Sequence, residues 1–142
     1  MIKGFACGVF DLFHAGHVLM LKECRENCEF LVIGLNKAEN ISAEINPNKM
    51  APIFPLEQRK MILESNRYVD EVVVYETEEE LLNIMTKGDF KVRFLGDDYR
   101  NKPITGPKAI PKVHYLNRDH GLSTSGFKRA IAADSLNRSI TD

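Results

Sequence analysis

Long apolar runs, net charge and cysteine are what this sequence has least of. No stretch of its 142 residues approaches the ~18 consecutive apolar residues that cross a bilayer. A membrane partner is therefore not expected. The N-terminus, MIKGFACGVFD, lacks the apolar core and cleavage site of a secretory signal, so a cytoplasmic location is expected. Nineteen basic residues nearly balance 20 acidic ones, for a formal charge of −1. That removes the bulk electrostatic case for a nucleic-acid partner, and any phosphate site must be built locally. Cysteine appears only as Cys7, Cys24 and Cys28. An odd count without framework spacing reads as free thiols. Cys24 and Cys28 share a helix face and read as core. No repeat, low-complexity tract or linker divides the chain, which reads as one domain over residues 1–142.

What is present is an alternation of strand and helix patterns. Ile2–Cys7 reads as a short strand. From Gly16 to Asn27, Val18, Leu21, Cys24 and Cys28 recur at helical intervals. The run FLVIGL that follows suits a strand buried on both faces, as in a parallel sheet. Asn36 to Phe54 is a long polar loop, of the kind that is functional or disordered. Pro55 opens a helix through Asn66, and Val69–Tyr75 is a strand. Thr77 caps a helix whose first turn carries Glu78, Glu79 and Glu80, and Lys87-Gly88 ends it. Lys91–Leu95 and Lys112–Leu116 are further strands, separated by the loop Tyr99–Pro111. Ser123 or Thr124 caps a last helix to about Ala133, and residues 135–142 are expected to fray. The sum is an α/β fold: a Rossmann-like open parallel sheet of about five strands with helices on both faces. Ligands bind such sheets beyond the carboxyl ends of the strands, at the switch point. The unusual residues cluster there.

Two segments carry the chemistry. In Gly8–His17, GVFDLFHAGH, Gly16 sits at a helix start, where unpaired N–H groups and the dipole favour an anion. His14 and His17 can face that anion together and donate to a phosphate in its transition state. The spacing could also suggest a metal pair, but no third Cys or His ligand completes a zinc set. The blander reading makes His14 a turn cap and His17 a satisfied helix residue. In Arg118–Ser125, RDHGLSTS, Gly121 permits a tight turn, and Ser123, Thr124 and Ser125 bring hydroxyls and N–H groups to a helix start. Arg118 adds a guanidinium suited to phosphate oxygens. A plain cap beside a surface arginine is the blander reading. Asp11 could simply bind turn N–H groups. Asp97 and Asp98 are adjacent, so their carboxylates diverge.

With those residues in view, GVFDLFHAGH resembles the first motif of the HxGH nucleotidyltransferase superfamily. Within it the chain resembles the cytidylyltransferase family, of which glycerol-3-phosphate cytidylyltransferase is typical. Arg59, the segment RYVDEV at 67–72, Gly96-Asp97-Asp98 and RDHGLSTS match as well. Val9 replaces the family's usual threonine, and Ser125 stands at another threonine position. The resemblance implies transfer of CMP from CTP to a phosphorylated small-molecule acceptor, with release of pyrophosphate. It implies catalytic roles for His14, His17, Lys49 and Arg118. It places Gly8, Val9, Phe10, Asp11, Gly16, Gly96, Asp97, Ser123, Thr124 and Ser125 at the nucleotide. It further implies Mg²⁺ carried mainly by the triphosphate, with no protein metal ligand, and a homodimer. Two alternatives stand beside it. One is an adenylyltransferase of the heptose-phosphate type, which FPLEQR and GDDYRNKPITG also resemble. The other is a non-catalytic nucleotide-binding module. The acceptor could be glycerol phosphate, another alcohol or sugar phosphate, or a phosphoramidate.

Overall fold

A computed structural model describes residues 1–38 and 51–141 of the chain. Lys49, expected at the phosphates, lies outside the described residues. Five strands, β1 (Lys3–Gly8), β2 (Phe30–Asn36), β3 (Glu71–Tyr75), β4 (Val92–Gly96) and β5 (Lys112–Leu116), form one sheet in the order β3-β2-β1-β4-β5. Every pairing is parallel. The helices are α1 (Ala15–Glu26), α2 (Leu56–Glu64), α3 (Glu78–Lys87) and α4 (Thr124–Thr141). Among the described residues no helix is long and apolar enough to cross a membrane.

Core packing explains the placement of the helices. On one face Leu21 and Cys24 of α1 and Leu63 of α2 pack on Ile33, Leu35 and Phe94. On the other, Leu81 and Met85 of α3 pack on Phe5, Val32 and Tyr75. The β2 run is buried from Leu31 to Leu35, because helices cover both of its faces. Cys24 and Cys28 are buried free thiols, and burial pushes both thiols up.

The register positions the site. β1 pairs with β2 from Lys3↔Phe30 through Gly8↔Leu35. It pairs with β4 only at Gly4↔Val92 and Phe5↔Arg93. Beyond that point the carboxyl ends of β1 and β4 part, and a fork opens at the switch point.

Several boundaries differ from the sequence expectation. β1 starts and ends one residue later, and β3 starts at Glu71 rather than Val69. Asp70 instead lends its carboxylate to the Leu31 N–H at 2.8 Å and pairs with Arg25. Arg67 lies over the Tyr68 ring. α4 does not stop near Ala133 but continues to Thr141.

Candidate nucleotide-binding site

The turn after β1 is held under strain. Phe10 and Leu12 have φ of 53° and 48°, in the left-handed region. Each costs roughly 1–2 kcal/mol in a non-glycine residue. Two buried groups hold the turn in place. Asp11, 5% exposed, accepts from the N–H groups of Ile53 at 2.8 Å and Phe54 at 2.9 Å, and Lys128 of α4 lies 3.2 Å away. Burial alone would raise its pKa. The two backbone donors and Lys128 outweigh it and hold the carboxyl below its usual range. Arg59 of α2, 1% exposed, donates to the carbonyls of Val9, Asn36, Lys37 and Phe54. One guanidinium thus ties the ends of β1 and β2 to the start of α2.

His14 and His17 then form a reciprocal cap on α1. The Gly16 N–H donates to His14 Nδ1 at 3.0 Å, and the His14 N–H donates to His17 Nδ1 at 3.1 Å. The capping reading and the catalytic reading are therefore compatible. With Nδ1 spent as an acceptor, each neutral ring carries its proton on Nε2. The rings lie 3.9 Å apart, and Phe13 stacks on His17 at 5.2 Å. Burial, followed by the charge of His14, pushes the pKa of His17 down to about 4. Burial also lowers that of His14, with His120 and Arg118 adding to the effect. Both rings are neutral donors at pH 7. The Thr124 hydroxyl donates to the Asp11 carbonyl at 3.1 Å and lies 3.3 Å from His14 Nε2, so it orients that ring.

A cavity of about 190 Å³ is lined by Gly8, Val9, Phe10, His14, Gly16, His17, Arg118, Ser123 and Thr124. These nine were singled out from the sequence; Cys7, Met20 and Leu122, which also line the cavity, were not. Gly16 owes its identity to the protein's own packing. A Cβ there would lie 2.7 Å from His14 Cε1 and 3.0 Å from Leu122 Cβ. Gly121 has φ +69°, the left-handed turn expected of it. Arg118 reaches Asp98 at 3.3 Å.

Other expected residues lie elsewhere. Gly96 lines a second, adjoining cavity. Asp97 and Ser125 line neither cavity, and Asp97 pairs with Arg100. Asp11 is consumed by the turn.

Lys128, Asp98 and His120 also contribute and were not singled out as site residues in the sequence. His120 Nδ1 accepts from the Leu122 N–H at 2.9 Å, so its Nε2 carries the proton. That Nε2 is buried and has no partner among the described residues. The histidine in RDHGLSTS was the available signal, but sequence does not show which way a loop side chain turns.

The described residues hold no group of three His, Cys, Asp or Glu that could bind a metal. The site offers neutral donors, one guanidinium and a hydroxyl-bearing helix start, the equipment for an oxyanion.

Comparison with known proteins agrees with this chemistry. The family model described as cytidylyltransferase-like matches residues 5–125. The chain is 33% identical to the glycerol-3-phosphate cytidylyltransferase of Bacillus subtilis over 133 residues, which cover 93% of this chain and 98% of that protein. It is 34% identical to the bifunctional protein HldE of Campylobacter concisus, over 89% of this chain and 26% of that one. It is 32% identical to the ethanolamine-phosphate cytidylyltransferase of Arabidopsis thaliana, over 89% of this chain and 32% of that one. The chain thus spans a third or less of the last two relatives. A lipopolysaccharide core biosynthesis protein from Thermoplasma volcanium shares the fold, with a TM-score of 0.65 at 23% identity over 82% of this chain and 97% of that one. The extent of the family match and the conjunction of His14, His17 and Arg118 at one cavity place this chain in the cytidylyltransferase-like family.

Proposed function

We propose that this chain transfers CMP from CTP to a phosphorylated small-molecule acceptor and releases pyrophosphate. The observation that carries the reading is the convergence of His14, His17, Arg118, Ser123 and Thr124 on one cavity at the sheet's switch point. The acceptor's phosphate oxygen attacks the α-phosphorus of CTP in line, and the bond to pyrophosphate breaks. Charge on the α-phosphate oxygens grows as the bonds change. His14 and His17 donate from Nε2 toward those oxygens, and being neutral they need lose no proton. Arg118 and the start of α4 hold the leaving pyrophosphate. Lys49, outside the described residues, neutralises the triphosphate. Catalysis is positioning and electrostatics, with no covalent intermediate on the enzyme.

Mg²⁺ belongs to this reading as a companion of the triphosphate, whose charge it neutralises. Nearby carboxylates are already engaged: Asp11 by backbone N–H groups, Asp97 by Arg100 and Asp98 by Arg118. The ion would therefore be held by phosphate oxygens and water, with no protein ligand. A homodimer is also part of the reading. The α2–β3 side, where Met61 is 68% exposed, is the surface it would cover.

Pyrophosphate release, measured with CTP and with ATP over a panel of phosphorylated acceptors, tests the function. CTP should be the productive nucleotide, and His17→Ala should abolish release while leaving the circular dichroism spectrum intact. Preference for ATP, or near-normal turnover by His17→Ala, would overturn the reading.

A further inference from the structure

Arg93 is a buried charge that the nucleotide site does not use. It sits on β4 beside Phe5 of β1, in the middle of the sheet, and is 4% exposed. Its Nη1 donates to the Thr105 carbonyl at 2.7 Å, with the Gly106 carbonyl at 3.4 Å. Its guanidinium also faces the Cys7 thiol. Its Nε is buried and has no hydrogen-bond partner among the described residues. Nor does Arg93 take part in an ion pair among the described residues. A buried cation without a counter-charge is costly, and so is an orphaned buried donor. Tying down the loop at Thr105 needs a donor, but it does not need a charge.

That charge borders a cavity. The fork between β1 and β4 holds a space of about 500 Å³, whose polar wall includes Arg93, Cys7, Asn36, Tyr75 and Thr105. It shares Cys7, Gly8, Val9, Phe10, Met20 and Arg118 with the nucleotide cavity but does not include Ser123 or Thr124. In-line displacement brings the acceptor in opposite the leaving pyrophosphate. The cavity that shares the Gly8–Phe10 rim and lacks the start of α4 is the place for the acceptor's body, with Arg118 lining both spaces. Glu78 lines it too, from the start of α3, but is exposed to water, which screens it. Arg93 is the buried charge.

We propose that Arg93 selects acceptors that carry a carboxylate in addition to their phosphate. The inference rests on the transfer reaction proposed above. Nη1 is spent on Thr105, and the guanidinium still borders the cavity with a flat edge. A planar carboxylate matches that edge. A second phosphate would bring more charge than one guanidinium offsets.

Two matched pairs of acceptors test this: O-phosphoserine against phosphoethanolamine, and 3-phosphoglycerate against glycerol 3-phosphate. Within each pair the members differ at the group Arg93 would meet. Binding to the CTP-loaded protein is read by calorimetry, and turnover by pyrophosphate release. The carboxylate member of at least one pair should be favoured by about 10-fold or more, the discrimination a charge-assisted contact supports. Arg93→Met should bring that ratio toward one through the acceptor KM and not the CTP KM, with Arg93→Lys intermediate. Equal or better use of the members without the carboxylate, or no response to either carboxylate, overturns the proposal. The wild-type ratios decide the matter even if Arg93→Met fails to fold. Failure of the transfer reading shows differently, as no CTP binding or no pyrophosphate release with any acceptor.

Discussion

His14 and His17 show how one residue type serves fold and chemistry together. Each gives Nδ1 to a backbone N–H and lines the cavity, His14 with its Nε2 beside the Thr124 hydroxyl. His17 is 9% exposed and ringed by Phe10, Phe13 and His14, so the uncharged ring is the stable form. Its pKa of about 4 lies below the ordinary histidine value of 6.5. The sign follows from proton linkage. Between those values the unfolded chain takes up a proton that the folded chain refuses, so stability falls as pH falls through that window. The full contribution is present above pH 6.5 and amounts to about 3 kcal/mol, at 1.36 kcal/mol per pKa unit. His14, also lowered, acts in the same direction. A titration of the His17 ring followed by NMR should show a midpoint near 4, and urea unfolding should weaken from pH 7 to pH 5. A midpoint near 6.5 would mean that the ring is not buried as described.

At the scale of elements, the strands were the legible part. Their apolar runs are dictated by burial from both sides, and all five appear within two residues of the expected limits. Ends and caps were less legible because they depend on single side chains. A histidine is not among the usual N-cap residues; the sequence offered His14 as a turn cap, and the geometry shows the reciprocal bond with His17 at the start of α1. The outer half of α4 was missed because its apolar residues mark no single face. Ile131 is 61% exposed and Leu136 is 62% exposed, so no packing stripe was there to read. Few strong helix formers stand there beyond Leu136 and Arg138, and Asp134–Arg138 pair at 3.0 Å, one turn apart. The inner end differs, since Lys128 reaches Asp11. Ending the chain after Ala133 should therefore leave kcat unchanged and shift Tm by no more than about 2 °C, the scale of a surface change. A larger loss in a thermal melt would show that the outer half of α4 supports the domain.

Across the whole molecule, the site is where distant loops meet at the fork between β1 and β4, and long-range hydrogen bonds hold them together. Those bonds were the least legible feature. Arg59 could be picked out as a motif residue, but its partners are carbonyls of Val9, Asn36, Lys37 and Phe54, and a carbonyl leaves no mark in a sequence. Asp11 is similar: it looks like a site carboxylate, yet it spends its oxygens on the N–H groups of Ile53 and Phe54. Together Arg59 and Asp11 carry the strained turn at Phe10 and Leu12. The consequence is that the catalytic turn and the fold should fail together. Arg59→Met keeps much of the side chain's apolar volume and removes the donors that cross-link β1, β2 and α2. Four carbonyls would then lose their guanidinium donor in a largely buried place, at about 1–3 kcal/mol for each left unsatisfied. Partial relaxation of the loops brings the expected loss of unfolding free energy to about 3–5 kcal/mol. Arg59→Lys should recover little, because one ammonium lacks the planar fork that reaches carbonyls in several directions. Urea unfolding at pH 7 reads the loss. CTP should bind Arg59→Met more weakly as well, since the Val9 backbone that lines the site would no longer be held. A variant that unfolds within about 1 kcal/mol of the parent, a typical surface-to-moderate effect, would show that the strands position this turn without the arginine.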